Sequence, residues 1–117
     1  MAQRKRGELE AELMDIIWDN PAGLTSTEIR GCFNEPIPVA TTVVTVLERR
    51  REKGMVIREK NDGRGYRYEA AYPREETLAG AMSRSLHNAS NRELLLLNFA
   101  GNLTDEDRAL LRAALDS

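Results

Sequence analysis

The sequence predicts a mostly helical α+β chain in two parts, and three observations carry that prediction. Apolar residues recur at helical spacing in three stretches before residue 54, an alternating stretch around a glycine-containing turn follows, and a leucine-rich tail with helix-start signals completes the chain. The 117 residues are 41% hydrophobic, 31% charged and 5% aromatic, an ordinary globular composition with too little length for an elaborate enzyme scaffold.

From Leu9, the positions Leu9, Leu13, Ile16 and Ile17 form the apolar stripe of a first helix, with Glu8, Glu10, Glu12 and Asp15 as its solvated side. Asn20-Pro21-Ala22-Gly23 stops it. Thr25 and Glu28 then make a T-x-x-E capping box, with Leu24 and Ile29 placed as a hydrophobic staple, so a short second helix is expected over 26–33. Cys32, beside Ile29 and Phe33, is expected in the core. Two prolines in Asn34-Glu35-Pro36-Ile37-Pro38 forbid regular hydrogen bonding, and the third helix starts after them, over 40–53. Its core stripe is Val43, Val46 and Leu47, its terminator is Gly54, and Thr42, Thr45 and Arg49 at i, i+3, i+7 face outward together.

Residues 55–60 and 66–70 read as the strands of a β-hairpin with a basic tip at Asn61-Asp62-Gly63-Arg64-Gly65. Three helices and a hairpin in this order describe a winged helix-turn-helix, the third helix being the reader and the hairpin the wing. Pro73 suits the start of a fourth helix over 74–87, and Ser90 with Glu93 and Thr104 with Asp107 open two more, over 91–100 and 105–115. The domains expected are therefore 1–73, a DNA-binding winged helix-turn-helix, and 74–117, a helical dimerisation arm. In the arm Leu78, Met82, Leu94, Leu95, Leu96, Leu97, Phe99, Leu110, Leu111 and Leu115 are more apolar surface than three short helices can bury, so a partner chain is the simplest cover.

Charge points to the partner of the other part. The net charge is −2, but residues 1–40 hold 4 basic and 7 acidic side chains, 41–74 hold 9 and 5, and 75–117 hold 4 and 7. The positive charge is thus concentrated in the reader and wing. Threonine offers a base edge a hydroxyl and a methyl, and arginine pairs bidentately with guanine. The DNA contacts expected are Thr41, Thr42 and Thr45 on base edges, Arg49 at the groove edge, and Lys60, Arg64 and Arg67 on phosphates. Ser26 and Thr27, at a helix N-terminus, are secondary phosphate candidates. A winged module that docks on another protein through the same basic face is the alternative reading.

Other chemistry finds little support. A single cysteine and a single histidine, His87, give no disulfide and too few ligands for a metal centre, and no cofactor is expected. His87 suits the C-terminal end of a helix dipole, and Gly63 and Gly65 lack the G-K-[ST] and following helix of a phosphate loop. No apolar run approaches the roughly 18 residues of a membrane span, and the start MAQRKRGELE has no apolar segment of a secretory leader, so action in the cytoplasm is expected.

The segments GELEAELMDIIW, LTSTEI, ATTVVTVLERRREKGMVIREK and GRGYRYEA, with the tail LLLLNFAGNLTDEDRALLRAAL, resemble successive motifs of the BlaI/MecI/CopY family of winged-helix repressors. The resemblance runs nearly end to end. It implies a homodimeric repressor on a palindromic operator of TACA/TGTA type, controlling β-lactamase, related resistance or copper-handling genes. It further implies a regulatory protease, with Asn98-Phe99 as the scissile bond; filling of the dimer core by Phe99 is the structural alternative. Residues 90–117 hold no cysteine, unlike the copper-responsive branch, so a metal sensor is not expected. Ala40 heads the reader where that family often has a larger residue. Arg50 stands where the family often has leucine, which implies either a shifted packing register for the helix or a long Arg50 stem lying along the surface with its head in water.

Overall fold

A computed structural model describes residues 4–117; residues 1–3, where the reading of a leaderless start begins, lie outside it. The order is α1 (Arg6–Trp18), β1 (Leu24–Thr25), α2 (Ser26–Gly31), α3 (Ala40–Glu52), β2 (Val56–Lys60), β3 (Tyr66–Ala70), α4 (Arg74–Asn88), α5 (Arg92–Gly101) and α6 (Asp105–Leu115). The chain divides into two compact units, residues 1–76 and 77–117.

In the first unit, α1 begins three residues before the apolar stripe does, because Glu8 reaches back to the Lys5 backbone N–H. The Thr25–Glu28 box forms as a reciprocal pair, Thr25 N–H donating to Glu28 Oε1 at 2.8 Å and Glu28 N–H to Thr25 Oγ1 at 3.2 Å. α2 stops at Gly31, two residues short of the expected end. Cys32 becomes its C-cap and is exposed, which corrects the expectation of a core cysteine, while Phe33 turns inward and is buried. α3 closes in a Schellman motif: Met55 N–H donates to Arg50 O, and Gly54 N–H to Arg51 O, with Gly54 at φ +78°.

The sheet is antiparallel in the order β1-β3-β2, with Leu24 opposite Tyr68, Val56 opposite Ala70 and Lys60 opposite Tyr66. β1 is too short for alternation to reveal and exists because β3 offers it an edge. Gly23, at φ +92°, makes the turn into it, and a Cβ there would stand 2.8 Å from Arg67 Cγ. The core gathers Leu13, Met14, Ile16 and Ile17 of α1, Ile29 of α2, Phe33, Val43, Val46 and Leu47 of α3, Val56 and Tyr68.

Two expectations about the surface are corrected. Arg50 does not put its head in water: Nη2 lies 3.1 Å from Glu10 Oε2 and Nη1 3.7 Å from Met55 Sδ, so the guanidinium joins α3 to α1 in a largely buried pair. Glu12 likewise is no solvated residue, since Arg4 holds both its oxygens, at 3.0 and 2.9 Å, and Asn34 N–H also donates to it. Glu10, Glu12 and Asp15 of α1 are structural because they answer Arg50, Arg4 and Arg74, while Glu8 caps the helix start. At the end of this unit, Trp18 Nε1 donates to Tyr72 O at 3.0 Å, and Arg74 pairs with Asp15 and Asp19 over the Trp18 ring. Through Arg74 the start of α4 is tied to α1 within the first unit, whose last residue is Glu76.

In the second unit Asn91, not Ser90, caps α5, its side chain accepting from Leu94 N–H; the expected Ser90–Glu93 box is replaced because Asn91 carries the extended backbone of a cap, φ −135° and ψ 96°. Thr104 caps α6 as expected, accepting from Asp107 N–H at 3.1 Å. No residue of 77–117 is buried.

Candidate nucleic-acid interface

α3 is amphipathic in the way a reader needs to be: Val43, Val46 and Leu47 point into the core, and Thr41, Thr45 and Arg49 are exposed. Thr42, expected alongside them, is only half-exposed at the flank. Thr45 Oγ1 donates to Thr41 O at 2.8 Å. That bond uses the hydroxyl proton, so the exposed Thr45 can accept from a base amino group but not donate. Val39 and Val44 are also exposed beside the threonines and escaped the sequence reading. A signal existed for Val44: Val43, Val46 and Leu47 complete the stripe and leave it outside.

In the hairpin, Lys60 and Arg64 are exposed. Among the described residues neither they nor Arg49 joins an ion pair. Arg67 differs from them. It is half-buried, and its Nη1 donates to Gly23 O at 2.7 Å, so it secures β1 to β3. Ser26 and Thr27 begin α2, but the Glu28 carboxylate already occupies that helix start. Hydrogen bonds from Thr25, first its backbone N–H, hold the Glu28 carboxyl below its ordinary pKa, so an incoming phosphate would meet a fixed negative charge.

Glu48 is a half-buried acidic residue between α3 and the hairpin. Arg51 donates to both its oxygens at 3.0 to 3.3 Å, Arg58 Nη1 to Oε2 at 3.0 Å, and Tyr68 OH to Oε2 at 3.3 Å. The Arg51 bond, ahead of the opposing effect of burial, lowers the Glu48 pKa, while burial raises that of Tyr68. Arg58 also lies over the Tyr66 ring, 3.8 Å from its centroid. α3 and the hairpin are thus joined through one carboxylate.

The family model described as penicillinase repressor matches residues 6–117. The chain belongs to the penicillinase repressor family. As a family member it is a DNA-binding transcriptional repressor and not an enzyme. The transcriptional regulator BlaI of Mycobacterium tuberculosis, in strains CDC 1551 / Oshkosh and ATCC 25618 / H37Rv, is 31% identical over 113 residues, covering 93% of this repressor and 81% of the relative. Among solved structures, Streptococcus pneumoniae FabT in complex with DNA aligns over 92% of this repressor and 69% of that chain, with a TM-score of 0.47 and 16% identity. Among the described residues no helix is long and apolar enough to cross a membrane.

Proposed function

We propose that this repressor binds a palindromic operator of a β-lactamase-type regulon as a homodimer, α3 lying in the major groove and the β2–β3 hairpin along the phosphates. The observation that carries this reading is the exposed line of Thr41, Thr45 and Arg49 on α3, beside a hairpin whose Lys60 and Arg64 have no ion-pair partner among the described residues. Arg67, tied to Gly23, supports the wing and offers phosphates only its remaining N–H groups. Binding to the region upstream of the repressor's own gene tests the reading at several salt concentrations. Thr45→Val removes an acceptor and should weaken the operator complex by roughly 1 to 3 kcal/mol while sparing other sequences. Arg64→Ala should weaken every duplex alike and reduce the salt slope by about 1. Reversal of the two patterns would exchange the roles of helix and hairpin. No effect from either would favour a winged module docking on protein.

The second unit supports dimerisation through its apolar surface. Leu78, Met82, Leu94, Leu95, Leu97, Phe99, Leu110, Leu111 and Leu115 are all exposed, Leu97 at 63% and Leu115 at 75%. An apolar groove of about 280 Å³ runs between Met82, Leu86, Leu95, Leu96 and Phe99. A second copy of the arm is the cover that a palindrome requires.

Derepression by proteolysis completes the proposal. Asn98-Phe99 lies inside α5, where Asn98 Nδ2 donates to Leu94 O at 2.9 Å and Asn98 O accepts from Asn102 Nδ2 at 2.8 Å. A protease needs extended backbone, so cutting requires local opening of α5 and separates α6 from α4. In cells induced with a β-lactam, wild-type repressor should shorten as the target genes turn on, and Asn98→Asp, Phe99→Ala repressor should stay intact. Full-length wild-type chain during full derepression removes cleavage from the mechanism.

A further inference from the structure

On α3, Glu48 follows Thr41 and Thr45 at i, i+4, i+7, so it lies on the same line of the helix as the two exposed threonines, itself half-buried against the hairpin. A carboxylate facing phosphates is repelled by them, and this one also binds the two arginines nearest to it. Its acceptor capacity is full: two N–H groups of Arg51, one of Arg58 and the Tyr68 hydroxyl occupy the roughly four lone-pair sites of a carboxylate. Nothing is left with which to read a cytosine amino group, so direct base readout by Glu48 is disfavoured.

We propose that Glu48 holds Arg51 and Arg58 off the DNA backbone and thereby sets how strongly this repressor prefers its operator over other sequences. The inference rests on the reading of α3 and the hairpin as the interface. Non-specific binding is almost entirely counterion release by cations that reach phosphates. Arg51 and Arg58 are two cations at the junction of reader and wing, and with Glu48 between them the trio carries one positive charge instead of two. Lys60, Arg64 and Arg49, outside this cluster, remain to grip the backbone. Glu48 also fixes the wing against the reader, an arrangement the operator complex uses and a loosely held random duplex does not. Glu48 is therefore a positioning residue whose removal strengthens the wrong complexes most.

The test measures Glu48→Gln repressor, which keeps the side-chain shape and an acceptor for Tyr68, on a mixed-sequence duplex and on the upstream region. The expected result at moderate salt is tighter binding to the mixed duplex, by roughly five- to tenfold for each further phosphate that a released arginine neutralises. The salt slope should steepen by about 1 to 2. Operator affinity should rise less, so the preference falls. An unchanged slope, an equal loss on both duplexes with a lowered Tm, or a loss confined to one operator base would each overturn the proposal. Arg51→Gln, at a partly exposed side chain, gives an independent reading: next to an intact Glu48 it should barely change the slope, whereas in the Glu48→Gln background it should return the slope toward wild type. A drop of about 1 in the slope from Arg51→Gln alone would overturn the proposal as well. Arg64→Ala separates the two failures. If it flattens the slope and Glu48→Gln does nothing, this inference alone is wrong; if neither changes the slope, the interface reading is wrong.

Discussion

Cutting the chain after Glu76 is expected to yield a folded monomer that binds the operator about a hundredfold or more weakly than the full repressor. The winged unit carries its own core of eleven buried residues, drawn from α1, α2, Phe33, α3 and the sheet, all within residues 1–76, so it is expected to fold by itself. The cut must fall after Arg74, because its pairs with Asp15 and Asp19 and its place over Trp18 belong to the winged unit. The arm, by contrast, buries no residue of 77–117 and leaves most of its leucines exposed. Losing it removes the apolar interface proposed to join two readers. Joining two half-site binders raises avidity by about 10² to 10⁴ with no change at either half-site, and a monomer forfeits that factor. Sedimentation and titration on the upstream duplex measure both effects, and residues 1–76 sedimenting as a stable dimer would refute the role given to the arm. The intact dimer, held by apolar surface, should survive salt that dissociates the DNA complex, because screening weakens phosphate contacts and leaves apolar burial untouched.

What the sequence disclosed and what it concealed divide by the range of the interaction. Local signals were legible: the Thr25–Glu28 box, the Gly54 terminator and the Thr104 cap each placed an element end within a residue or two. Caps act over three or four residues, within reach of a pattern. β1 was not legible, since two residues show no period and Leu24 becomes a strand only when Tyr68, forty-four positions on, lies opposite it. The same distance hid the roles of charged residues. Glu10 and Arg50 stand forty positions apart, and each alone reads as surface. Glu48 reads as one acid among arginines until the sheet brings Arg58 and Tyr68 to it. Cys32 went wrong for a local reason, an α2 shorter than its apolar residues suggested. At the candidate interface, the exposed threonines and Arg49 follow from helical period alone, whereas Arg67's bond to Gly23 depends on the turn that the sheet imposes.

The largest effect on stability is expected from Leu47→Ala. Leu47 is fully buried on the inner side of α3, in one cluster with Leu13, Ile17, Ile29, Val43 and Val56. Removing three carbons there forfeits their transfer free energy and leaves a cavity that surrounding helices and sheet only partly close, a cost of about 2 to 5 kcal/mol. Small domains have about 5 to 15 kcal/mol in total, so the variant should lose a large part of its margin and melt roughly 10 to 30 °C lower. Val44→Ala, about one turn away on the exposed side of the same helix, controls for helix propensity and should stay within about 0.5 kcal/mol. The single tryptophan reports on the right unit, because Trp18 is held by Tyr72 O and Arg74 within residues 1–76. Protein concentration must be fixed in the comparison, since the proposed dimerisation would add to apparent stability by mass action. Well below its melting point the Leu47→Ala protein should still prefer its operator, because the cavity lies on the side of α3 away from Thr41 and Thr45. A loss under about 1 kcal/mol would mean that α3 is not packed on Leu47, and the outward facing of its threonines would fall with it.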